Sequence, residues 1–85
     1  MASYRLLIKP SAVKELEAVP AKDRRRLVAR LRRLSADPRP PGCEKLSGHD
    51  LFRIRQGDYR VLYSIEDQAL VILVIKVGHR GAVYR

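Results

Sequence analysis

The most constraining feature of this chain is a change of rhythm at Leu51. From Leu51 to Ile65 apolar and polar residues largely alternate, and Gly57-Asp58 interrupts them once. Period-two alternation marks a strand with one buried face. Glycine at the first central position of a two-residue loop suits a type II′ hairpin turn, where that position has a positive φ. Such a turn fixes the pairing on both sides. Gln56 should face Tyr59, Arg55 should face Arg60, Ile54 Val61, Arg53 Leu62, and Phe52 Tyr63. Alternation then sorts the side chains. Phe52, Ile54, Val61 and Tyr63 belong to the core face, and Arg53, Arg55, Arg60 and Leu62 to the other.

The rest of the chain arranges itself around this hairpin. Tyr4 to Ile8 reads as a first strand, stopped by Lys9-Pro10. Proline suits the first turn of a helix, where a missing N–H costs nothing. Ser11 to Val19 is therefore expected as a short helix with Ala12, Val13, Leu16 and Val19 inward. Pro20 breaks it. Ala21 to Ala36 reads as a second helix, with Leu27, Val28, Leu31 and Leu34 at helical spacing. So short a link makes the two helices an antiparallel hairpin. Asp37 to Gly42 is a loop, and Cys43 to Asp50 continues as a connection. After a turn at Glu66-Asp67-Gln68, Ala69 to Val77 is a nearly unbroken apolar strand of the kind found at the centre of a sheet. Gly78 should end it, leaving His79 to Arg85 as a tail. The expected fold is α+β, a single domain over residues 1–85 in the order β-α-α-β-β-β. An N-terminal α-hairpin packs on one face of a small, antiparallel-rich sheet, and the other face is partly open.

Charge narrows the function. The chain carries 18 Lys/Arg against 9 Asp/Glu, a net charge of +9 over 85 residues. That balance points to a polyanionic partner: nucleic acid, an anionic membrane surface or an acidic protein. The plainer alternative is a soluble domain that is merely basic. With one cysteine, Cys43, a disulfide scaffold is excluded and a reducing, cytoplasmic setting is expected. The first residues have no signal-peptide pattern, and no apolar run approaches membrane-span length. Cys43, His49 and His79 fit no metal-ligand spacing, and there is no phosphate-binding glycine loop. Neither metal nor cofactor is expected.

Arg55 opposite Arg60 is the feature that carries chemistry. Like charges directly across a hairpin destabilise it. Arg53, Arg55 and Arg60 together therefore read as an anion site, unless each pairs with one of Asp50, Asp58, Glu66 and Asp67. The tail adds His79, Arg80 and Tyr84. Arginine offers a planar fork for phosphate, histidine moves protons near neutral pH, and tyrosine stacks on unpaired bases. On the second helix Arg24, Arg25, Arg26, Arg30, Arg32 and Arg33 crowd the exposed surface. They read either as a patch for RNA backbone or as a solvated face.

These strings carry a resemblance. Phe52-Arg53-Ile54-Arg55-Gln56-Gly57-Asp58-Tyr59-Arg60-Val61-Leu62-Tyr63 resembles the central hairpin of RelE toxins, in the RelE/ParE superfamily. Val77-Gly78-His79-Arg80 through Val83-Tyr84-Arg85 resembles their C-terminal signature. The likeness covers essentially the whole chain. It implies a small sheet flanked by helices, and a toxin of a type II toxin–antitoxin system that cleaves mRNA in the A site of the 30S subunit. Arg53 and Arg55 would sit near the scissile phosphate, Arg60 and Arg80 would bind and stabilise it, and Tyr84 would orient or stack on the substrate. Some members have lysines where this chain has Arg53 and Arg55, and arginine does not serve as a base. His79 is the replacement candidate. RNA brings its own nucleophile, the 2′-hydroxyl, so positioning and electrostatics can carry cleavage without a metal. The implied partners are an acidic or amphipathic cognate antitoxin and mRNA on the ribosome. Two other readings remain: a ParE-like inhibitor of DNA gyrase, and a nucleic-acid-binding module without catalysis.

Overall fold

A computed structural model describes residues 3–79. The elements are β1 (Arg5–Ile8), α1 (Pro10–Glu17), α2 (Ala21–Leu34), β2 (Glu44–Lys45), β3 (Phe52–Gln56), β4 (Tyr59–Glu66) and β5 (Val71–His79). They form a five-stranded sheet in the order β1-β5-β4-β3-β2. β1 runs parallel to β5 and every other neighbouring pair is antiparallel. The α+β class and element order agree with the sequence reading, and β2 is an added two-residue strand inside the expected connection.

The hairpin is the part the sequence describes best. Its register is the expected one at all five pairs, Gln56 with Tyr59 through Phe52 with Tyr63. Gly57 has φ +62°, and Asp58 is not among the non-glycine residues of positive φ, as a type II′ turn requires.

Two helices cover one face of the sheet. Pro10 stands in the first turn of α1. Asp23 in the first turn of α2 and Arg32 and Arg33 in its last match the helix dipole. Ala12, Leu16, Val19, Leu27, Leu31 and Leu34 pack against Ile54, Val61, Tyr63, Ile72, Val74 and Val77. Val13, expected inward, is 37% exposed. Eight residues make only about two turns of helix, and Ala12, Leu16 and Val19 already cover the inner side. No helix among the described residues is long and apolar enough to cross a membrane.

Two features of the sheet depart from expectation. β5 does not stop at Gly78 but continues to His79, because β4 pairs with it to the end, Arg60 with Gly78 and Tyr59 with His79. β5 also carries a bulge. Leu62 pairs with Lys76 but Tyr63 pairs with Val74, so Ile75 is extra. A bulge shifts the alternation by one. Ile72 and Val74 point inward before it and Val77 after it, all buried. Leu62 lies on the open face yet is 7% exposed. Arg53 and Lys76 stand directly across from it on the two flanking ladders.

Candidate nucleic-acid interface

The open face of β3 and β4 carries the arginine row. Arg55 lies directly opposite Arg60, with Arg53 two residues along β3. A two-residue turn closes on a hydrogen-bonded pair, Gln56 with Tyr59. Arg55 and Arg60 are then a non-hydrogen-bonded pair, the type with backbones closest, about 4.5 Å between Cα atoms. On the other side of β4, Arg60 faces Gly78.

The three arginines are not equivalent. Arg53 is half-buried, and its guanidinium donates to Glu44 Oε2 at 2.7 Å. Glu44 is its direct cross-strand neighbour on β2. Sequence reasoning missed this partner because two residues of strand leave no periodic signal. Arg55 is exposed and forms no ion pair among the described residues. Arg60 is half-buried. Arg55 is thus the member of the row most open to an anion, with Arg60 beside it.

His79 does not join them. It is exposed, and it stands opposite Tyr59 with the rings edge-to-face at 5.5 Å. Tyr59 packs against the core, so both rings are on the helix-bearing side. The bulge is the cause, since without it residue 79 would fall on the arginine side. Arg80 and Tyr84 lie outside the described residues.

The arginines of α2 divide by role. Arg24 is half-buried, and its Nη1 donates to Glu17 O at 3.0 Å and Val19 O at 3.4 Å, satisfying carbonyls at the end of α1. Arg30 is half-buried, with its Nε enclosed and unbonded. Arg25, Arg26, Arg32 and Arg33 are exposed. Arg24, Arg25 and Arg32 border a shallow groove of about 410 Å³ floored by Val28 and Ala29.

A second polar cluster, not foreseen from the sequence, ties down the proline-rich loop. Arg39 forms a two-pronged bond to Asp67, at 3.2 and 2.9 Å, and lies 5.2 Å from the centre of the Phe52 ring. Tyr4 Oη donates to the same carboxylate at 2.8 Å. The Arg39 guanidinium and the Tyr4 hydroxyl hold Asp67 below the usual carboxylate range. Beneath them Tyr63 is fully buried. Its hydroxyl donates to Pro38 O at 2.7 Å and touches Cys43 Sγ at 3.2 Å. Burial, with the Cys43 contact behind it, pushes this phenol above its ordinary value. These partners sit at 25 and 20 residues' remove, too far for any sequence period to show.

Comparison with known proteins places this architecture. Residues 6–84 match the family model described as ParE toxin of type II toxin-antitoxin system, parDE. The chain belongs to this family, and so to the RelE/ParE superfamily of type II toxins. Toxin RelG of Mycobacterium tuberculosis is 41% identical over 34 residues, which are 40% of this chain and 39% of that protein. The aligned stretch thus spans about two fifths of that relative's length. In the RelBE2 toxin–antitoxin complex of Mycobacterium tuberculosis, a chain superposes with TM-score 0.84 at 26% identity, covering 94% of each chain. In the archaeal RelE–RelB complex from Pyrococcus horikoshii OT3 the values are 0.81 and 33%, covering 95% of this chain and 99% of that one.

Proposed function

We propose that this toxin is a metal-independent endoribonuclease that cleaves mRNA in the ribosomal A site. The observation that carries the reading is Arg55 directly opposite Arg60 on the open face of the sheet. Two arginines directly across one ladder bring two planar forks within reach of one phosphate, a preorganised site for the charge that develops on it. In the reaction the 2′-hydroxyl gives up its proton to solvent as its oxygen bonds to phosphorus, the P–O5′ bond breaks, and the leaving 5′-oxygen takes a proton from solvent. The products are a 2′,3′-cyclic phosphate and a 5′-hydroxyl. Arg55 and Arg60, with Arg80, stabilise the additional negative charge, and Tyr84 stacks on the base. A single well-placed donor of this kind is worth on the order of 10²–10³ in rate. Arg53, paired with Glu44, fixes the floor of the site. His79 stands on the far side of the sheet from this row, so phosphate stabilisation rests on the arginines. The ribosome and message supply the in-line geometry. The exposed arginines of α2 meet RNA backbone, where each contact adds to the salt dependence.

A cognate antitoxin restrains the toxin in this reading. RelE-family relatives have been solved in complex with antitoxins, and a net charge of +9 favours rapid, salt-sensitive association with an acidic segment. The decisive experiment is cell-free translation of a defined message with the purified toxin, followed by primer extension. New 5′ ends inside codons of translated message, lost in Arg60→Ala and Arg80→Ala, are the expected result. Arrested translation without new ends would sink the nuclease reading. The matched family carries the ParE name, so gyrase inhibition is the second reading, scored by a supercoiling assay.

A further inference from the structure

β5 is supported unevenly along its length. β1 pairs with it from Arg5–Val71 to Ile8–Val74, and Lys9 N closes on Val74 O at 3.0 Å. There β1 ends, while β5 runs on through the bulge to His79. Beyond Val74 no described strand lies on that side, and the backbone has an open edge. One group fills it. Glu15, on α1, accepts the Val77 N–H through Oε1 at 3.0 Å and the Lys76 ammonium through Oε2 at 2.9 Å. Both bonds fall immediately past the extra residue Ile75. Partial burial pushes the Glu15 carboxyl up, but Lys76 and the Val77 N–H outweigh it and hold the group below its usual range.

This placement matters because a bulged strand has a choice of register. A slip of one residue moves every side chain to the opposite face. It would take Val77 out of the core, shift Gly78 from its place opposite Arg60, and part His79 from Tyr59. On the β4 side the ladder is irregular at this very point.

We infer that Glu15 is a positioning residue for the catalytic end of the sheet: its carboxylate substitutes for the missing strand beside Val77 and locks the bulge in one register. The inference rests on the nuclease reading for its consequence, though not for its geometry. Glu15 itself touches no substrate. It keeps Gly78 across from Arg60 so that the guanidinium presents to phosphate in one arrangement.

The test uses the full chain with Glu15→Ala, Glu15→Asp and Glu15→Gln. Glutamine keeps an acceptor of the same reach for the Val77 N–H, and aspartate is one methylene too short. Amide hydrogen exchange at Val77 and the Tyr59–His79 ring NOE report the strand end. Ribosome-dependent cleavage, resolved into kcat and KM, reports its consequence. In E15A and E15D the Val77 amide should exchange roughly tenfold faster, as expected for losing one hydrogen bond to a charged group. The ring NOE should weaken, and kcat should fall about tenfold with KM for programmed ribosomes within about twofold. E15Q should keep the protection, the NOE and kcat within about threefold of wild type. Aspartate serves if the alanine variant does not fold. Unchanged exchange and NOE in E15A and E15D would overturn the anchoring. A fall in kcat with the strand end undisturbed would overturn positioning. A wild-type chain that leaves message intact would refute the nuclease reading and the catalytic consequence, while exchange still judged the anchor.

Discussion

Replacing Arg55 by glutamine should make the protein more stable and less active. Arg55 is exposed, forms no ion pair among the described residues, and stands directly across from Arg60. An opposed like-charge pair costs roughly 0.2–1 kcal/mol. For a domain of this size 1 kcal/mol corresponds to about 4–8 °C in Tm. Arg55→Gln should therefore melt about 1–8 °C above wild type at low ionic strength. Glutamine retains most of the stem, so the gain is electrostatic and must vanish with screening. Near 1 M salt the Debye length is only about 3 Å, and the two melting curves should converge. Cleavage in the translation assay should drop by on the order of 10²-fold. A lower Tm for Arg55→Gln at low salt, or a gap unchanged by salt, would refute the stored repulsion. Undiminished cleavage would remove Arg55 from the site.

Three further outcomes follow from the fold. Tyr63→Phe removes the hydroxyl bonded to Pro38 O and Cys43 Sγ; it should cost about 1–2 kcal/mol, and an unchanged denaturant midpoint would show the loop is held otherwise. Leu70 has φ +55°, a conformation that L side chains avoid; Leu70→Gly should be neutral or stabilising by up to about 1 kcal/mol in thermal melts, where a loss of similar size would show the strain is absent. Glu15 in the folded state binds a proton more weakly than in the unfolded chain. Its contribution is full above the unfolded carboxyl value of about 4.3 and is lost as pH falls through the lower folded value. The acid limb of stability against pH should be shallower in Glu15→Gln, and parallel limbs in the two proteins would count against this.

The sequence by itself determined whatever depends on neighbours a few residues apart. The Gly57-Asp58 turn and the alternation around it set the β3–β4 register, because a two-residue loop admits one closing pair and a period of two admits one sorting of faces. The proline positions and the apolar spacing placed both helices to within a residue or two. The net charge and the opposed arginines pointed to an anion site, and the quoted strings to the toxin superfamily. Tertiary structure decided what depends on contacts distant in the chain. Parallel pairing of β1 with β5 joins residues 66 apart in register, as between Arg5 and Val71, and neither segment encodes the other. The bulge at Ile75 leaves no mark in the nearly unbroken apolar run around it, yet it decides that His79 lies with Tyr59 and not with the arginines. Glu44 beside Arg53 and Glu15 beside Val77 read in sequence as ordinary surface carboxylates. Glu44 meets Arg53 because β2 pairs with β3, and Glu15 meets Val77 because β1 ends before β5 does.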